Sequence, residues 1–193
     1  MSSSVTASTG SARKGIPTQK MALTAVMTAI TCVLAPLSIP IPISPVPVTL
    51  TNLVILLTSC LLGWKLAVSS CILYLLLGIA GLPVFSAYGS GIAKVIGPTG
   101  GYLVGFIPLS IAAGLVFAHV KNPLMRIALL ALATGLLLYL PGTAWLAFQA
   151  NLAFDKALMM GVVPYIPGDL VKIILVVIFG PALLQSLKRA GLL

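Results

Sequence analysis

Residues 164–172 read Pro164-Tyr165-Ile166-Pro167-Gly168-Asp169-Leu170-Val171-Lys172 and open the last apolar segment of the chain. Asp169 is one of only two acidic residues among 193. A carboxylate at the start of a membrane helix is costly unless it is paired or used, which makes it a functional candidate. Its partner is legible: Lys172 follows three residues later, on the same helical face. Pro167 and Gly168 suit a helix start, and Asp169 in the first turn suits the positive end of the helix dipole. A capping carboxylate in a local ion pair is the competing reading.

The surroundings of this stretch set the class. The chain is 60% hydrophobic and 7% charged, with a mean hydropathy of +1.18. That composition specifies an integral membrane protein. About 20 residues cross a bilayer as a helix, so this length accommodates roughly six spans. We therefore expect an N-terminal tail over residues 1–20 and an all-α membrane domain over 21–193. The net charge of +9 is spread along the chain with no basic, aromatic-studded segment, which argues against nucleic acid. Cations at helix ends facing an anionic leaflet explain it better. Cys32, Cys60 and Cys71 lie inside apolar runs and match no metal spacing, so they read as small packing residues.

Working back from Asp169, the apolar runs predict spans near residues 21–38, 48–62, 66–81, 99–118, 124–149 and 168–187. In the first, Ala22, Ala25, Ala29 and Cys32 form a strip of small residues that lets another helix approach closely, inside the bundle or on a partner. Residues 36–47 hold five prolines and no charge, which predicts a stiff, extended connector. Gly63-Trp64-Lys65 predicts a tight turn. Residues 82–98 are long for a turn and rich in Gly and aromatics, the profile of a binding loop. Gly97, Gly101 and Gly105 recur every four residues and imply close helix contact. Backbone approach to a ligand competes at Gly100 and Gly101. Pro141-Gly142 predicts a kink.

Six spans put both termini on one side. Arg13, Lys14, Lys20, Lys65, Lys121, Arg126, Lys188 and Arg189 fall there, against Lys94, Lys156 and Lys172 opposite. Eight cations against three place both termini in the cytoplasm. The proline connector, the Gly-rich loop and Asp169/Lys172 then converge at the outer face.

Several chemistries are excluded. There is no G-x-x-x-x-G-K-[ST] phosphate loop. One His, two Asp and no Glu furnish neither a HExxH zinc site nor a paired-carboxylate catalyst, so no enzyme is expected. What remains is an apolar pocket with a few placed polar groups. Asp169 offers acceptors, and Lys172 and Lys94 offer cationic donors. Thr49, Thr51, Asn52, Gln149 and Asn151 add hydroxyls and amides, and Phe85, Tyr88, Tyr102 and Trp145 could form walls. The fitting ligand has an apolar body, N–H donors for Asp169 and an anionic end for a lysine.

Four stretches together resemble one family. They are Pro45-Val46-Pro47-Val48-Thr49-Leu50; Tyr74-Leu75-Leu76-Leu77-Gly78 with Gly81-Leu82-Pro83-Val84-Phe85; Gly97-Pro98-Thr99-Gly100-Gly101-Tyr102; and Pro167-Gly168-Asp169 with Lys172. In this order they resemble BioY, the biotin-binding membrane (S) component of energy-coupling-factor transporters, over roughly residues 21–187. The second-span motif departs from it: Thr51 and then Asn52 stand where a Gln is expected. The resemblance implies a six-helix S-component fold in the cell membrane, with biotin as ligand and no cofactor or metal. Asp169 and Lys172 would serve the ureido ring, and the Gly-rich loop with Lys94 would close over the valerate. It also implies docking to a transmembrane coupling subunit through an A-x-x-x-A pattern, matched by Ala25 and Ala29, with energy from a pair of ABC-type ATPases. An S component for another vitamin, or a packing protein without ligand, are the alternatives.

Overall fold

The computed structural model describes residues 18–42 and 44–193. Arg13, Lys14 and nearly all of the expected tail therefore lie outside the described residues.

Helix α1, Thr18–Leu34, starts inside the stretch expected to be tail and stops directly before the Ala35-Pro36 pair. The residue before a proline disfavours the α conformation, which accounts for the stop. Its buried face is Thr24, Met27, Thr28 and Thr31. Hydroxyls in apolar surroundings need partners. Thr24, Thr28 and Thr31 donate to the carbonyls of Lys20, Thr24 and Met27, at 2.7–2.8 Å. Ala22, Ala25 and Ala29 point outward and are exposed.

The proline connector is not extended throughout. Its ends pair as two short antiparallel strands, β1 (Ser38–Ile39) and β2 (Val48–Thr49), with Ser38 opposite Thr49. Proline excludes helix but permits an edge pair, so the segment closes into a loop over the bundle.

Helix α2 runs Thr51–Ile79 by hydrogen bonding but breaks at Gly63, whose φ of 75° and ψ of 171° suit glycine. Thr51 and Tyr74 line one cavity. On a straight helix they would be about 35 Å apart, so the two arms fold back on each other as the Gly63-Trp64-Lys65 turn predicts. Gly114 receives the turn: a Cβ there would stand 2.4 Å from the Trp64 nitrogen.

A loop with the 3₁₀ turn Ser86–Tyr88 and the short helix α3 (Ile92–Ile96) leads to α4, Gly100–His119. Then α5 (Pro123–Ala133), a π-helical turn (Thr134–Tyr139) and α6 (Leu140–Ala150) form one rod. The π turn stands where the sequence predicts a kink. Pro141 has no N–H for the Leu137 carbonyl and its ring would clash there, so the helix widens just before it. Gly105 of α4 faces this point, its missing Cβ only 2.8 Å from the Leu137 oxygen. The chain ends with α7 (Phe154–Gly161) and α8 (Ile166–Arg189).

Among the described residues, four helical stretches are long and apolar enough to cross a bilayer: Thr51–Ile79, Gly100–His119, Pro123–Ala150 and Ile166–Arg189. Helix α1, at 17 residues, is at the short limit. The core lies between α2, α4, the α5–α6 rod and α8, around Leu56, Tyr74, Phe106, Leu109, Leu130, Leu146 and Ile173.

Candidate functional site

Asp169 sits in the first turn of α8 and Lys172 one turn on, 8% and 9% exposed. Lys172 Nζ donates to Asp169 Oδ1 at 2.9 Å and to the Thr49 carbonyl of β2 at 2.6 Å. Asp169 Oδ2 accepts from the Tyr139 hydroxyl at 2.6 Å. Each carboxylate oxygen thus meets a donor from a different element, and the ammonium bridges α8 to the proline loop. An ammonium carries three protons and a carboxylate about four acceptor sites. Both groups retain capacity for a ligand.

A chamber of about 60 Å³ opens beside the pair. Its walls come from the proline loop (Val46, Pro47, Thr49), α2 (Asn52), α4 (Tyr102, Phe106) and the π turn (Tyr139), with Tyr165 closing it. A neighbouring space of about 50 Å³ shares the loop and α4 residues and adds Thr51, Tyr74, Ser86 and Thr99. Asn52 is buried; its Oδ1 accepts from the Leu53 N–H at 2.9 Å, and the residue lines the chamber. Tyr165 fastens the roof, its hydroxyl donating to the Val46 carbonyl and lying 2.9 Å from the Ser44 hydroxyl.

A larger cavity, about 330 Å³, lies on the other side of Tyr139 and Asp169, between the α5–α6 rod and α7–α8. Its lining is nearly all apolar, including Leu140, Phe154, Leu158, Ile166 and Leu170, and it lacks Lys172. Without a cation it cannot neutralise an anionic ligand. The smaller chamber, with ammonium, carboxylate, amide and phenol, has the chemistry of a polar recognition site.

Of the candidates read from sequence, Asp169, Lys172, Tyr102, Thr49 and Asn52 meet at this chamber, and Thr51 lines the neighbouring space. Tyr102 is wedged by Gly142 and Gly161, and its hydroxyl donates to the Gly161 carbonyl at 3.0 Å. The others stand elsewhere. Phe85 is fully buried in the core, its ring against Gly78 and edge-on to Tyr74 at 5.5 Å. Gly100 and Gly101 are packing glycines: a Cβ would stand 1.7 Å from the Val95 oxygen at one and 2.5 Å from Trp145 Cβ at the other. Asn151 is the exposed left-handed cap of α6, with φ of 49°. Lys94 is half-buried on α3, its stem along Gly89, outside the chamber lining. Trp145 and Gln149 tie the Gly-rich loop down, donating to the carbonyls of Gly97 (2.9 Å) and Ile96.

Sequence reasoning missed Tyr139, the direct partner of Asp169, and gave Tyr165 no role. The available signal for Tyr139 was its place two residues before Pro141, whose missing N–H lets a helix widen.

The profile of the BioY family matches residues 4–189. The chain is 38% identical over 171 residues to the biotin transporter BioY2 of Lactococcus lactis subsp. cremoris, covering 89% of this chain and 93% of that protein. It is 38% identical over 154 residues to a probable biotin transporter BioY of Pyrococcus horikoshii, covering 80% and 89%. Among solved structures it is similar to the S-component for biotin from an ECF-type ABC transporter. The TM-score is 0.79 and the identity 30%, covering 87% of this chain and 92% of that one.

Proposed function

This chain belongs to the BioY family, and on that premise we propose that it takes up biotin as the membrane S component of an energy-coupling-factor transporter. The observation that carries the reading is the buried Asp169–Lys172 pair, open to a chamber and still able to bond. The ureido ring has two N–H donors and a carbonyl acceptor. Asp169 takes the donors and Lys172 the carbonyl, both as charge-assisted bonds. Tyr102 and Phe106 pack against the ring system, and Asn52 adds a donor. Lys94, on the loop that supplies Ser86 and Thr99, is the cation we assign to the valerate carboxylate. That role requires its side chain to leave its seat on Gly89.

The chamber is small for a vitamin, since ligand sites usually span about 300 Å³ or more. Admission therefore requires the loop held by Tyr165 to lift. Counting the two arms of α2 separately, with α1, α4, the α5–α6 rod and α8, supports six crossings. The cation bias supports both termini in the cytoplasm. The exposed Ala25 and Ala29 strip is the surface we assign to the transmembrane coupling subunit, with ATP hydrolysed by its paired ATPases. No cofactor is assigned.

Retention of radiolabelled biotin by the purified protein in detergent tests the reading. Saturable retention, competed by unlabelled biotin, is the expected result. Failure of a folded, monodisperse preparation to retain biotin overturns it.

A further inference from the structure

Tyr139 and Asp169 are the two residues that line both the polar chamber and the apolar groove behind it. They join at 2.6 Å, phenol to carboxylate. Tyr139 owes its place to the π turn, since it is the last residue of that turn, two before Pro141. An extra residue per turn shifts every side chain around the helix relative to an α-helical continuation, and such turns concentrate at functional sites.

We propose that Tyr139 is a positioning residue for ligand recognition. It holds the second oxygen of Asp169 so that the remaining acceptor sites of the carboxylate face the chamber, and its ring walls that chamber from the apolar groove. The inference rests on the biotin-binding reading above and extends it to a residue outside the PGD-x-x-K motif. Lys172 restrains Oδ1 alone, and both belong to α8. A carboxylate gripped on one oxygen still rotates about χ2, a broad torsion. A second donor from another helix removes that freedom, and ordering the acceptor before the ligand arrives improves affinity. The Tyr139 hydroxyl bonds the ligand's partner, so the effect of removing that hydroxyl runs through Asp169.

That dependence defines the test. Biotin affinity is measured for the parent, Tyr139→Phe, Asp169→Asn and the double variant, with the melting temperature of each ligand-free protein. Tyr139→Phe keeps the ring and the wall and removes only the donor. We expect it to weaken biotin roughly tenfold or more in a protein that still folds. In the Asp169→Asn background the same change should have little further effect on biotin affinity, because the charged acceptor whose free sites it orients is gone. If Asp169→Asn leaves no measurable binding, Tyr139→Phe alone decides: its affinity for biotin must fall while the ligand-free protein stays folded. A Tyr139→Phe protein that binds as well as the parent overturns the proposal, and so do losses that simply add. A parent that retains no biotin refutes the functional reading instead, so the two failures are distinguishable.

Discussion

Replacing Lys172 by methionine keeps most of the length of the side chain and removes its charge. Two bonds are lost, at 2.9 Å to Asp169 and 2.6 Å to the Thr49 carbonyl. Stranding one member of a buried pair costs about 3–5 kcal/mol. Tyr139 still donates to Oδ2, which favours the lower figure. The Thr49 carbonyl belongs to a half-buried loop residue and can turn to water, so its loss adds only about 1 kcal/mol. The sum, about 4 kcal/mol, predicts a fall in melting temperature of about 8–16 °C for a domain of this size. Adding Asp169→Asn removes the stranded charge, and Tyr139 can donate to the amide oxygen. The double variant should recover about 3 kcal/mol, melting about 6–12 °C above Lys172→Met. Biotin binding should not recover, because both recognition groups are then absent. Asp169→Asn alone should weaken biotin by roughly 30- to 1000-fold. Thermal melting in detergent with biotin retention on the same samples reads both quantities. If Lys172→Met melts within about 2 °C of the parent, the pair is solvated and Asp169 is only a cap. If the double variant is no better than the single, Lys172 stabilises the fold through Thr49 alone.

Topology is tested by single cysteines: one at the exposed Ser90 should react with an impermeant thiol reagent from outside, and one at the exposed Asn122 only after the membrane is opened. External labelling at Asn122 would reverse the orientation. Leucine at both Ala25 and Ala29 should leave folding and biotin retention near parental, since both positions face outward, while recovery of the coupling subunit fails; loss of binding and melting temperature as well would sink the docking assignment. Gly101→Ala should lower stability by about 1–3 kcal/mol, because its Cβ would stand 2.9 Å from the Pro141 oxygen, a backbone atom, as well as against Trp145. Gly168→Ala, with nothing within 4 Å of the new Cβ, is the control and should melt no lower than the parent.

Several features were legible because their causes are local. Apolar length marks a membrane helix wherever it occurs. Gly63 breaks α2 because of its own backbone freedom, and Pro141 disturbs the rod through its own missing N–H. The Asp169–Lys172 pair sits three residues apart on one helix, within reach of a periodicity argument. Other residues stand away from the chamber for the complementary reason. Asn151 has the composition of a ligand amide, but its left-handed backbone serves the end of α6. Phe85 suggests a pocket wall, yet the space it fills exists only because Gly78 lacks a side chain.

By itself, then, the sequence determined the membrane class, the positions of most helices and breaks, and the ion pair. All of these depend on composition or on residues within a turn or two of each other. Only the tertiary structure decided which side chains share the chamber. Tyr139 meets Asp169 across 30 residues, and Lys172 meets Thr49 across 123. The first contact needs the π turn to rotate Tyr139 into place, and the second needs the proline loop to close on itself. Both are set by how helices pack, through glycines such as Gly101 and Gly105 that admit a neighbouring backbone. The Ala25 strip was equally undecided along the chain, since small residues suit an inner or an outer face. It became an outer surface when Thr24, Met27, Thr28 and Thr31 took the inner one, where the Thr28 hydroxyl meets Ser70 at 2.8 Å.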